Sequence, residues 1–352
     1  MSKKIVISGY YGFGNVGDEA VLAGIRATLT ELGVDARVTV LSADPARTMR
    51  EHRDVEAVPR NRILPMIGAI READLFISGG GSLFQDATSA RSPYYYLGIL
   101  RLAQMLKRKT MIYAQGVGPL IRPGIRRGVA RAFNKADIIT VRDSKSRALL
   151  QEIGVTREVH VAADPSFLVE PDLAAADKVI EEAGLAGQKL VGIALRPWPG
   201  QNQWLDAAAR GIIDLCSELG AQAVFIPMQE SEDATVGHGA PILRHAGMPE
   251  TAQGLIARCE LVVGMRLHSL IFAAGSGVPF VPIAYDPKVS AFATEARSDA
   301  GVQIGEPLDR LSNAIRTAWS SRESLGAALF ERSQEFREAG LLSGRLAKKI
   351  LE

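Results

Sequence analysis

The stretch ELVVGMRLHSLIFAAGSGVP, residues 260–279, decides the fold expected for this chain, because it predicts a strand, a polar turn and a helix in immediate succession. Residues 260–263 form a short run that ends in two β-branched side chains, and Gly264 closes it. From Ser269 onward the residues favour a helix, which Gly275 ends. The same order of strand, short loop and helix recurs along the chain, which indicates an α/β protein with doubly wound parallel sheets.

The turn in this stretch carries three polar side chains, Arg266, His268 and Ser269, where a strand's carboxyl end meets a helix start. Ligands of open α/β sheets bind in that crevice, where unpaired N–H groups attract anions. Arginine can clamp a carboxylate or phosphate, and histidine can move a proton at neutral pH. The pattern therefore predicts a site for a small anion that undergoes proton-coupled chemistry. The alternative is that the histidine and the arginine are structural partners of the helix end.

The composition is that of an ordinary soluble protein, with 47% hydrophobic and 23% charged residues among 352. This length allows about two domains of ~150 residues each. The formal net charge of +2 gives no reason to expect a nucleic-acid partner. Two widely separated cysteines, Cys216 and Cys259, lack metal-ligand spacing, so we expect free thiols, a reducing compartment and no metal site.

The expected location is the cytoplasm. The apolar run near the N-terminus is too short for a signal peptide, and no stretch of 18 apolar residues is present. Two basic segments, residues 101–109 and 122–135, are either solvated helix faces or peripheral contacts with anionic lipid at the inner membrane surface, or with a lipid-linked diphosphate acceptor. The sequence does not indicate an oligomeric state.

A glycine-rich turn follows the first predicted strand, and Gly12, Gly14 and Gly17 match the dinucleotide fingerprint G-x-G-x-x-G. Asp18 and Glu19 open the next helix, where two carboxylates repel a pyrophosphate and satisfy the helix dipole themselves. The turn is therefore expected to approach a ligand or the facing domain and not to bind a nicotinamide cofactor.

Polar residues on this turn and on a second glycine-rich loop, GGGSLFQD at residues 79–86, are candidates for hydrogen bonds to a polyhydroxylated acceptor. Three consecutive glycines require a tight turn or a close approach. For the first loop, a capped helix start is the competing interpretation. The predicted acceptor-binding residues are Asn15, Asp18, Glu19, Gln85 and Asp86.

Basic residues follow several predicted strands. Arg196 ends the predicted strand in GIALRPWPG, residues 192–200, and Lys288 follows the predicted strand in FVPIAYDP, residues 280–287. Both could converge with Arg266 and His268 on one cleft face. Arg142, after ADIITV, occupies an equivalent strand-end position. Single basic residues often only solvate a surface, but the shared position favours a common anion site.

Proline interrupts the pattern near residues 163–172, which places a domain boundary there. We expect a first Rossmann-like domain at residues 1–165, facing the acceptor, and a second at 166–320, binding the donor. A helical segment at 321–352 is expected to pack back over the domains.

Three motifs in this order, GYYGFGNVGDEA, GGGSLFQD and GMRLHS, resemble those of the polysaccharide pyruvyl transferase family. The chain looks most similar to the bacterial cell-surface-anchoring members, which place a ketal-linked pyruvate on N-acetylmannosamine of a lipid-linked secondary cell-wall polymer precursor. The resemblance implies a GT-B-like fold, with two Rossmann-like domains whose parallel sheets face each other across a cleft. It also implies phosphoenolpyruvate as the donor substrate, with no further cofactor.

The family's Arg-Leu-His motif falls on Arg266, Leu267 and His268, which implies donor binding by the arginine and an essential role for the histidine. Arg142 and Lys288 are further donor contacts by the same resemblance, whereas Arg196 rests on its strand-end position. The expected chemistry has His268 transfer a proton, while Arg266 and Lys288 hold the donor. Asp18 or Asp86 is expected to contact the acceptor hydroxyls.

Three other functions remain open at this point. A GT-B glycosyltransferase with a nucleotide-sugar donor would share the architecture and a basic cleft. A nicotinamide-dependent enzyme would use the G-x-G-x-x-G turn. A non-catalytic protein on the same fold would bind ligand without releasing phosphate.

Overall fold

The computed structural model describes residues 2–87, 91–236, 239–298 and 301–352. The chain divides into two compact units, and each contains its own parallel sheet. The first unit comprises Met1–Phe13, Asp18–Val169 and Phe336–Glu352, and the second comprises Gly14–Gly17 and Glu170–Glu335. Apart from residues 14–17, the chain passes from the first unit to the second between Val169 and Glu170, within the proline-interrupted segment at residues 163–172.

Within the described residues, eight strands form the sheet of the first unit. They are β1 (Lys3–Ser8), β2 (Ala36–Ser42), β3 (Val55–Pro59), β4 (Leu75–Ser78), β5 (Gly81–Phe84), β6 (Lys109–Val117), β7 (Ile138–Val141) and β8 (His160–Val161). Their order is β3-β2-β1-β4-β6-β7-β8, with β5 paired to β6, and all pairs are parallel. The accompanying helices are α1 (Val16–Glu31), α2 (Pro45–Glu51), α3 (Ile63–Glu72), α4 (Arg91–Met105), α5 (Pro123–Phe133) and α6 (Ser144–Glu152).

The strands of this sheet are buried because helices cover both faces. In β4 all four residues, Leu-Phe-Ile-Ser, are buried, as expected for a central parallel strand. One face packs on α3, α4, α5 and α6, and the other packs on α1 and the C-terminal residues of the chain. The continuous apolar runs seen in the sequence therefore correspond to strands covered on both sides.

Within the described residues, five strands form the sheet of the second unit. They are β9 (Leu190–Ala194), β10 (Gln222–Phe225), β11 (Cys259–Gly264), β12 (Phe280–Ala284) and β13 (Val302–Gln303), in the order β10-β9-β11-β12-β13. The pairs are again parallel. The helices are α7 (Leu173–Glu182), α8 (Asn202–Glu218), α9 (Glu230–Asp233), α10 (Pro249–Ala257), α11 (Leu267–Gly275), α12 (Pro287–Glu295), α13 (Leu308–Ser320) and α14 (Arg322–Leu351).

Both strand orders are those of doubly wound Rossmann-like sheets, as the sequence predicted. The order reverses between β1 and β4 in the first unit and between β9 and β11 in the second. Ligands of such sheets bind at the carboxyl ends of the strands beside the reversal. The glycine-rich turn follows β1 and GGGSLFQD follows β4, whereas Arg196 and Arg266 follow β9 and β11.

The long C-terminal helix α14 has residues in both units. Up to Glu335 it belongs to the second unit, where Arg322 Nε donates to the Glu260 carboxylate at 3.0 Å. From Phe336 it belongs to the first unit, where Phe336 stacks on Phe167 with ring centroids 4.7 Å apart. No helix in the described ranges is both long and apolar enough to cross a membrane.

Candidate functional site

Arg266 is the residue around which the second unit's site is built. It caps the N-terminus of α11, whose first residue is Leu267, so the helix begins two residues earlier than the sequence predicted. The Ser269 backbone N–H and hydroxyl both donate to the Arg266 carbonyl, at 2.9 and 2.6 Å, which holds the first turn. His268 therefore lies inside this turn and not on a flexible loop. The Leu267 side chain is buried, and its contact with the donor stays a prediction.

The Arg266 guanidinium is buried in an ion pair. Nε donates to Asp233 Oδ2 at 3.1 Å, and Nη2 donates both to Asp233 Oδ1 and, at 2.6 Å, to Glu232 Oε2. Burial acts to lower the pKa of Arg266, but Asp233 and Glu232 raise it above its ordinary value. The guanidinium therefore remains positively charged and has a fixed orientation.

Asp233 holds this arginine from the fully buried side of the site. Its Oδ2 also accepts the backbone N–H groups of Met228 and Gln229, at 3.1 and 3.0 Å. Burial raises the pKa of the Asp233 carboxyl, against the lowering effect of Arg266. The loop after β10 thus positions the arginine that follows β11.

Glu232 joins a second arginine to the first. Its Oε2 lies 3.6 Å from Nη2 of Arg196, and the Glu232 side chain is partly exposed. The Arg196 guanidinium lies 5.7 Å from the ring centroids of both Trp198 and Tyr285, within cation–π range. The Glu232 carboxylate therefore lies between two guanidinium groups at the reversal point of the sheet.

Lys288 completes the basic group that the sequence predicted in this unit. Its ammonium lies 6.0 Å from the Tyr285 ring centroid and 3.9 Å from the Asp286 carboxylate. The Tyr285 ring, which also lies near Arg196, contacts Trp198 with centroids 4.6 Å apart. Three strand ends, those of β9, β11 and β12, thus supply Arg196, Arg266 and Lys288.

His268 is packed against the glycine-rich turn. A Cβ built on Gly17 would lie 2.2 Å from Nδ1 of His268, so only glycine allows this close approach. Asn15 caps the turn by accepting the Gly17 N–H at 3.1 Å, and Val16 N–H donates to the Met228 carbonyl at 2.9 Å. Residues 14–17, which belong to the second unit, therefore support both His268 and the loop that holds Asp233.

The predicted acceptor residue Glu19 is used inside the first unit. Its side chain is fully buried, accepts the Gly12 N–H at 2.8 Å and pairs with His52 Nε2 at 3.1 Å. In this structure Glu19 therefore supports the turn, and its contact with the acceptor stays a prediction. Glu19 also occupies a turn N–H that the dinucleotide interpretation requires for phosphate. Asp18, the residue before Glu19, is partly exposed and lies close to the second glycine-rich loop. A Cβ built on Gly81 would be 3.1 Å from its Oδ1.

Asp86 is likewise used to shape a loop. Its side chain is buried, and its two oxygens accept the backbone N–H groups of Ile121 and Arg122, at 2.6 and 2.8 Å. Both carboxylate oxygens of Asp86 therefore hold the backbone of the Ile121–Arg122 segment, and its contact with an acceptor stays a prediction. Gln85, the residue before it, is partly exposed and remains a candidate.

Arg142 belongs to the first unit and has partners of its own. Its nearly buried guanidinium donates to Asp164 Oδ2 at 2.9 Å and to Ser82 Oγ at 3.0 Å. It therefore joins the end of β7 to strand β5, which Gln85 follows. The other three predicted donor-binding cations lie in the second unit.

The acidic and aromatic members of this site were not predicted from the sequence. Glu232 and Asp233 lie in the run MQESED after β10, and their pairing with a residue more than 30 positions away has no local signal. Trp198 and Tyr285 each lie close to a predicted basic strand end, which is a signal that could have identified them. Among the described side chains, no group of three or more His, Cys, Asp or Glu could hold a metal ion.

A family model described as polysaccharide pyruvyl transferase matches residues 15–287, which include Asn15, Arg266 and His268. The chain belongs to the polysaccharide pyruvyl transferase family. The curated amylovoran biosynthesis protein AmsJ of Erwinia amylovora is 22% identical, over 81% of this chain and 84% of its own length. Membership of the family supports a role in polysaccharide pyruvylation and implies a polysaccharide acceptor.

Solved structures establish the fold of this pyruvyl transferase family member. HepE of Anabaena, crystallised with UDP-glucose, superimposes with a TM-score of 0.65 at 14% identity and covers 99% of both chains. The UDP-N-acetylglucosamine 2-epimerase of Rickettsia bellii also gives 0.65, at 11% identity, over 100% of this chain and 96% of its own. These likenesses confirm the predicted α/β fold of GT-B type with two Rossmann-like units.

Proposed function

We propose that this protein transfers the pyruvyl group of phosphoenolpyruvate to two hydroxyls of one sugar, forming a ketal and releasing phosphate. The observation that carries the proposal is the group formed by Arg196, Arg266 and Lys288, which follow three neighbouring strands, with His268 two residues after Arg266. Phosphoenolpyruvate has a carboxylate and a phosphate, and several cations are needed to bind both. The acceptor is a sugar of a lipid-linked precursor, by resemblance N-acetylmannosamine of a secondary cell-wall polymer.

Glu232 has a specific part in donor binding. Its carboxylate accepts from Arg266 and lies near Arg196, in the position where the carboxylate or phosphate of the donor would be bound. Because the Glu232 side chain is partly exposed, it can turn away, while the buried Asp233 keeps Arg266 in place. The donor thus replaces Glu232 between the two guanidinium groups.

The reaction requires one proton transfer to carbon and one bond cleavage to phosphate. C3 of the donor is protonated, and C2 becomes an oxocarbenium-like centre that a first sugar hydroxyl attacks. The C2–O bond to phosphate breaks, and a second hydroxyl closes the ketal. The two hydroxyl protons balance the new C3–H bond and the protonated phosphate. His268 is the residue we assign to proton transfer, and the three cations stabilise the departing phosphate.

The acceptor side is assigned to the loops after β1 and β4. Asn15, Asp18 and Gln85 are partly exposed there, in contrast to the buried Glu19 and Asp86. Amide and carboxylate oxygens are suited to binding sugar hydroxyls.

Calorimetric titration with phosphoenolpyruvate tests the donor assignment. Wild type should show saturable binding, and Arg196→Gln should weaken it about tenfold to a hundredfold, since hydrogen bonds to charged groups are worth ~1.5–3 kcal/mol. Arg244→Gln is the matched control, because Arg244 is an exposed arginine of the same unit, 3.6 Å from Glu230. UDP-glucose is the competing donor. Its binding in place of phosphoenolpyruvate would make the protein a glycosyltransferase.

Phosphate release with a lipid-linked disaccharide tests the histidine. His268→Ala should keep donor binding and lower turnover roughly 10²- to 10⁴-fold, the usual range for general acid–base catalysis. Full turnover in this variant would contradict the assigned proton transfer. Donor binding without phosphate release from wild type, with any lipid-linked acceptor, would favour a non-catalytic binding protein.

A further inference from the structure

Exposed apolar side chains lie at the start of three helices in the first unit. Ile63 and Leu64 at the start of α3 are 65% and 83% exposed, Tyr94 in the first turn of α4 is 54% exposed, and Ile121 just before α5 is 65% exposed. These four residues are called the helix-start patch below. Large apolar side chains grouped at a surface usually mark a binding surface.

Contacts between the three helix starts make the patch continuous. Tyr95 Oη donates to the Arg60 carbonyl at 3.0 Å, and the Arg60 guanidinium lies 4.1 Å from the Tyr95 ring centroid, which joins the α3 and α4 starts. A Cβ on Gly124 would lie 3.4 Å from Tyr94 Oη, which joins the α4 and α5 starts. The three helices also share one hydrophobic core, so they lie on the same face of the sheet.

The exposed charged side chains next to the patch residues in the sequence are positive. Residues 57–71, 91–109 and 118–135 include no Asp or Glu. They contain α4, α5 and all of α3 except its last residue, Glu72, which lies at the opposite end of α3 from the patch and pairs with Lys4. Arg62, Arg122 and Arg127 are exposed beside the apolar side chains. Since the net charge of the chain is only +2, positive charge is concentrated in this part of the first unit.

We propose that the helix-start patch docks the protein on an anionic lipid surface. Ile63, Leu64 and Ile121 enter the boundary between headgroups and acyl chains, and Tyr94 lies at the polar interface. The exposed arginines bind lipid phosphates, each adding about 1 kcal/mol near an anionic surface. Exposed apolar side chains with arginines next to them in the sequence, and no carboxylate in residues 57–71, 91–109 and 118–135, suit an anionic bilayer better than a protein surface of mixed charge.

The patch is braced to a predicted acceptor loop. The buried Asp86 carboxylate, at the end of GGGSLFQD, accepts the N–H groups of Ile121 and Arg122. Docking would therefore bring the bilayer beside the loop that carries Gln85. The explanation of how a lipid-linked acceptor is reached rests on the proposed function. The docking on a lipid surface does not rest on it.

Vesicle flotation of the full chain tests the docking. Wild type should float with vesicles containing phosphatidylglycerol and not with pure phosphatidylcholine, and salt should weaken the binding. Ile63→Ser combined with Leu64→Ser should lower the partition coefficient by at least about tenfold, since each buried apolar side chain contributes ~1.5 kcal/mol or more. Met105→Ser is the matched control, because Met105 is 72% exposed at the opposite end of α4.

A fluorescent label provides a second readout that does not depend on weakened binding. Both native thiols are buried, and burial raises the pKa of each, Cys216 and Cys259, to about 12, so an alkylating dye at pH 8 should attach only to a Leu64→Cys variant. Its emission should shift to the blue on phosphatidylglycerol vesicles.

Three results would overturn the docking proposal: no flotation of wild type, equal flotation on neutral and anionic vesicles, or equal loss in Met105→Ser and in the double variant. The phosphoenolpyruvate titration is an independent measurement. Failure of donor binding with intact flotation would reject the proposed function and leave the docking surface standing.

Discussion

The two Rossmann-like units place charged side chains at equivalent strand ends but use them differently. In the first unit, Glu19 and Asp86 are buried and accept backbone N–H groups of neighbouring loops. In the second unit, Glu232 is partly exposed and is shared by Arg196 and Arg266. A strand-end position therefore predicts that a residue lies near a ligand site and does not predict whether it contacts the ligand.

The difference follows from which groups lie opposite each carboxylate. A carboxylate that accepts hydrogen bonds from backbone N–H groups helps to fix the shape of the loop that carries those groups. A carboxylate facing two guanidinium groups competes with any anionic ligand for them. In the first unit the two carboxylates bind backbone amides, whereas in the second Glu232 pairs with two cations that we propose to bind the donor.

The largest expected effect is that of Arg266→Ala on stability. It leaves the buried Asp233 carboxylate without its cation, and breaking a buried pair in this way costs about 3–5 kcal/mol. Urea denaturation measures the loss. A double variant, Arg266→Leu with Asp233→Asn, should recover part of it without restoring donor binding, because the asparagine oxygen is neutral and can still accept the N–H groups of Met228 and Gln229. A loss below about 1 kcal/mol in the single variant would show that Asp233 is protonated or solvated, and would weaken the contrast between the units.

Glu19→Ala tests the structural use of carboxylates in the first unit. The Gly12 N–H and the His52 ring lose their acceptor, so the free energy of unfolding should fall by about 1–3 kcal/mol, with donor binding unchanged. Glu31→Ala is the control on the same helix, because Glu31 lies at the exposed end of α1, 3.9 Å from Arg337. It should change stability by less than about 0.5 kcal/mol. If Glu19→Ala raises the acceptor KM at unchanged stability, Glu19 contacts the acceptor as the sequence predicted.

Gly17→Ala tests the support of His268 by the glycine-rich turn. The added methyl would overlap the imidazole, so we expect turnover to fall at least about tenfold, ~1.4 kcal/mol, with phosphoenolpyruvate affinity retained. The control is Gly211→Ala in α8, where no atom lies within 4 Å of the added Cβ. Helix propensity makes that change neutral or stabilising by up to about 1 kcal/mol. Wild-type turnover in Gly17→Ala would show that His268 needs no fixed orientation.

The smallest expected effect is tighter donor binding in Glu232→Gln. Removing a carboxylate that competes for Arg196 and Arg266 should raise phosphoenolpyruvate affinity about fivefold, since a charge pair 4 Å apart in water is worth ~1 kcal/mol. Glu218→Gln, an exposed partner of Arg316, is the control. Weaker donor binding in Glu232→Gln would mean that Glu232 orients the arginines instead of competing with the ligand.

Much of the fold could be predicted from local pattern. Strands β7 and β11 have apolar runs that are followed by arginine or end in glycine, and both were located from the sequence. The two-residue strands β8 and β13 are too short to have a pattern. The predicted start of α11 was two residues too late. Arg266 caps this helix without a side-chain hydrogen bond, and arginine is not a residue type that indicates a helix start.

For the candidate site, the sequence alone determined which strand ends bear cations, since strand, loop and helix are encoded by neighbouring residues. It also placed Arg266 and His268 together, because they are two positions apart. Only the tertiary structure decided that Asp233 and Glu232 hold Arg266, that Gly17 packs against His268, and that Glu19 and Asp86 are buried. The physical reason is that these contacts depend on strand order and on packing between distant segments, and burial decides whether a carboxylate binds a backbone amide or remains accessible to a ligand.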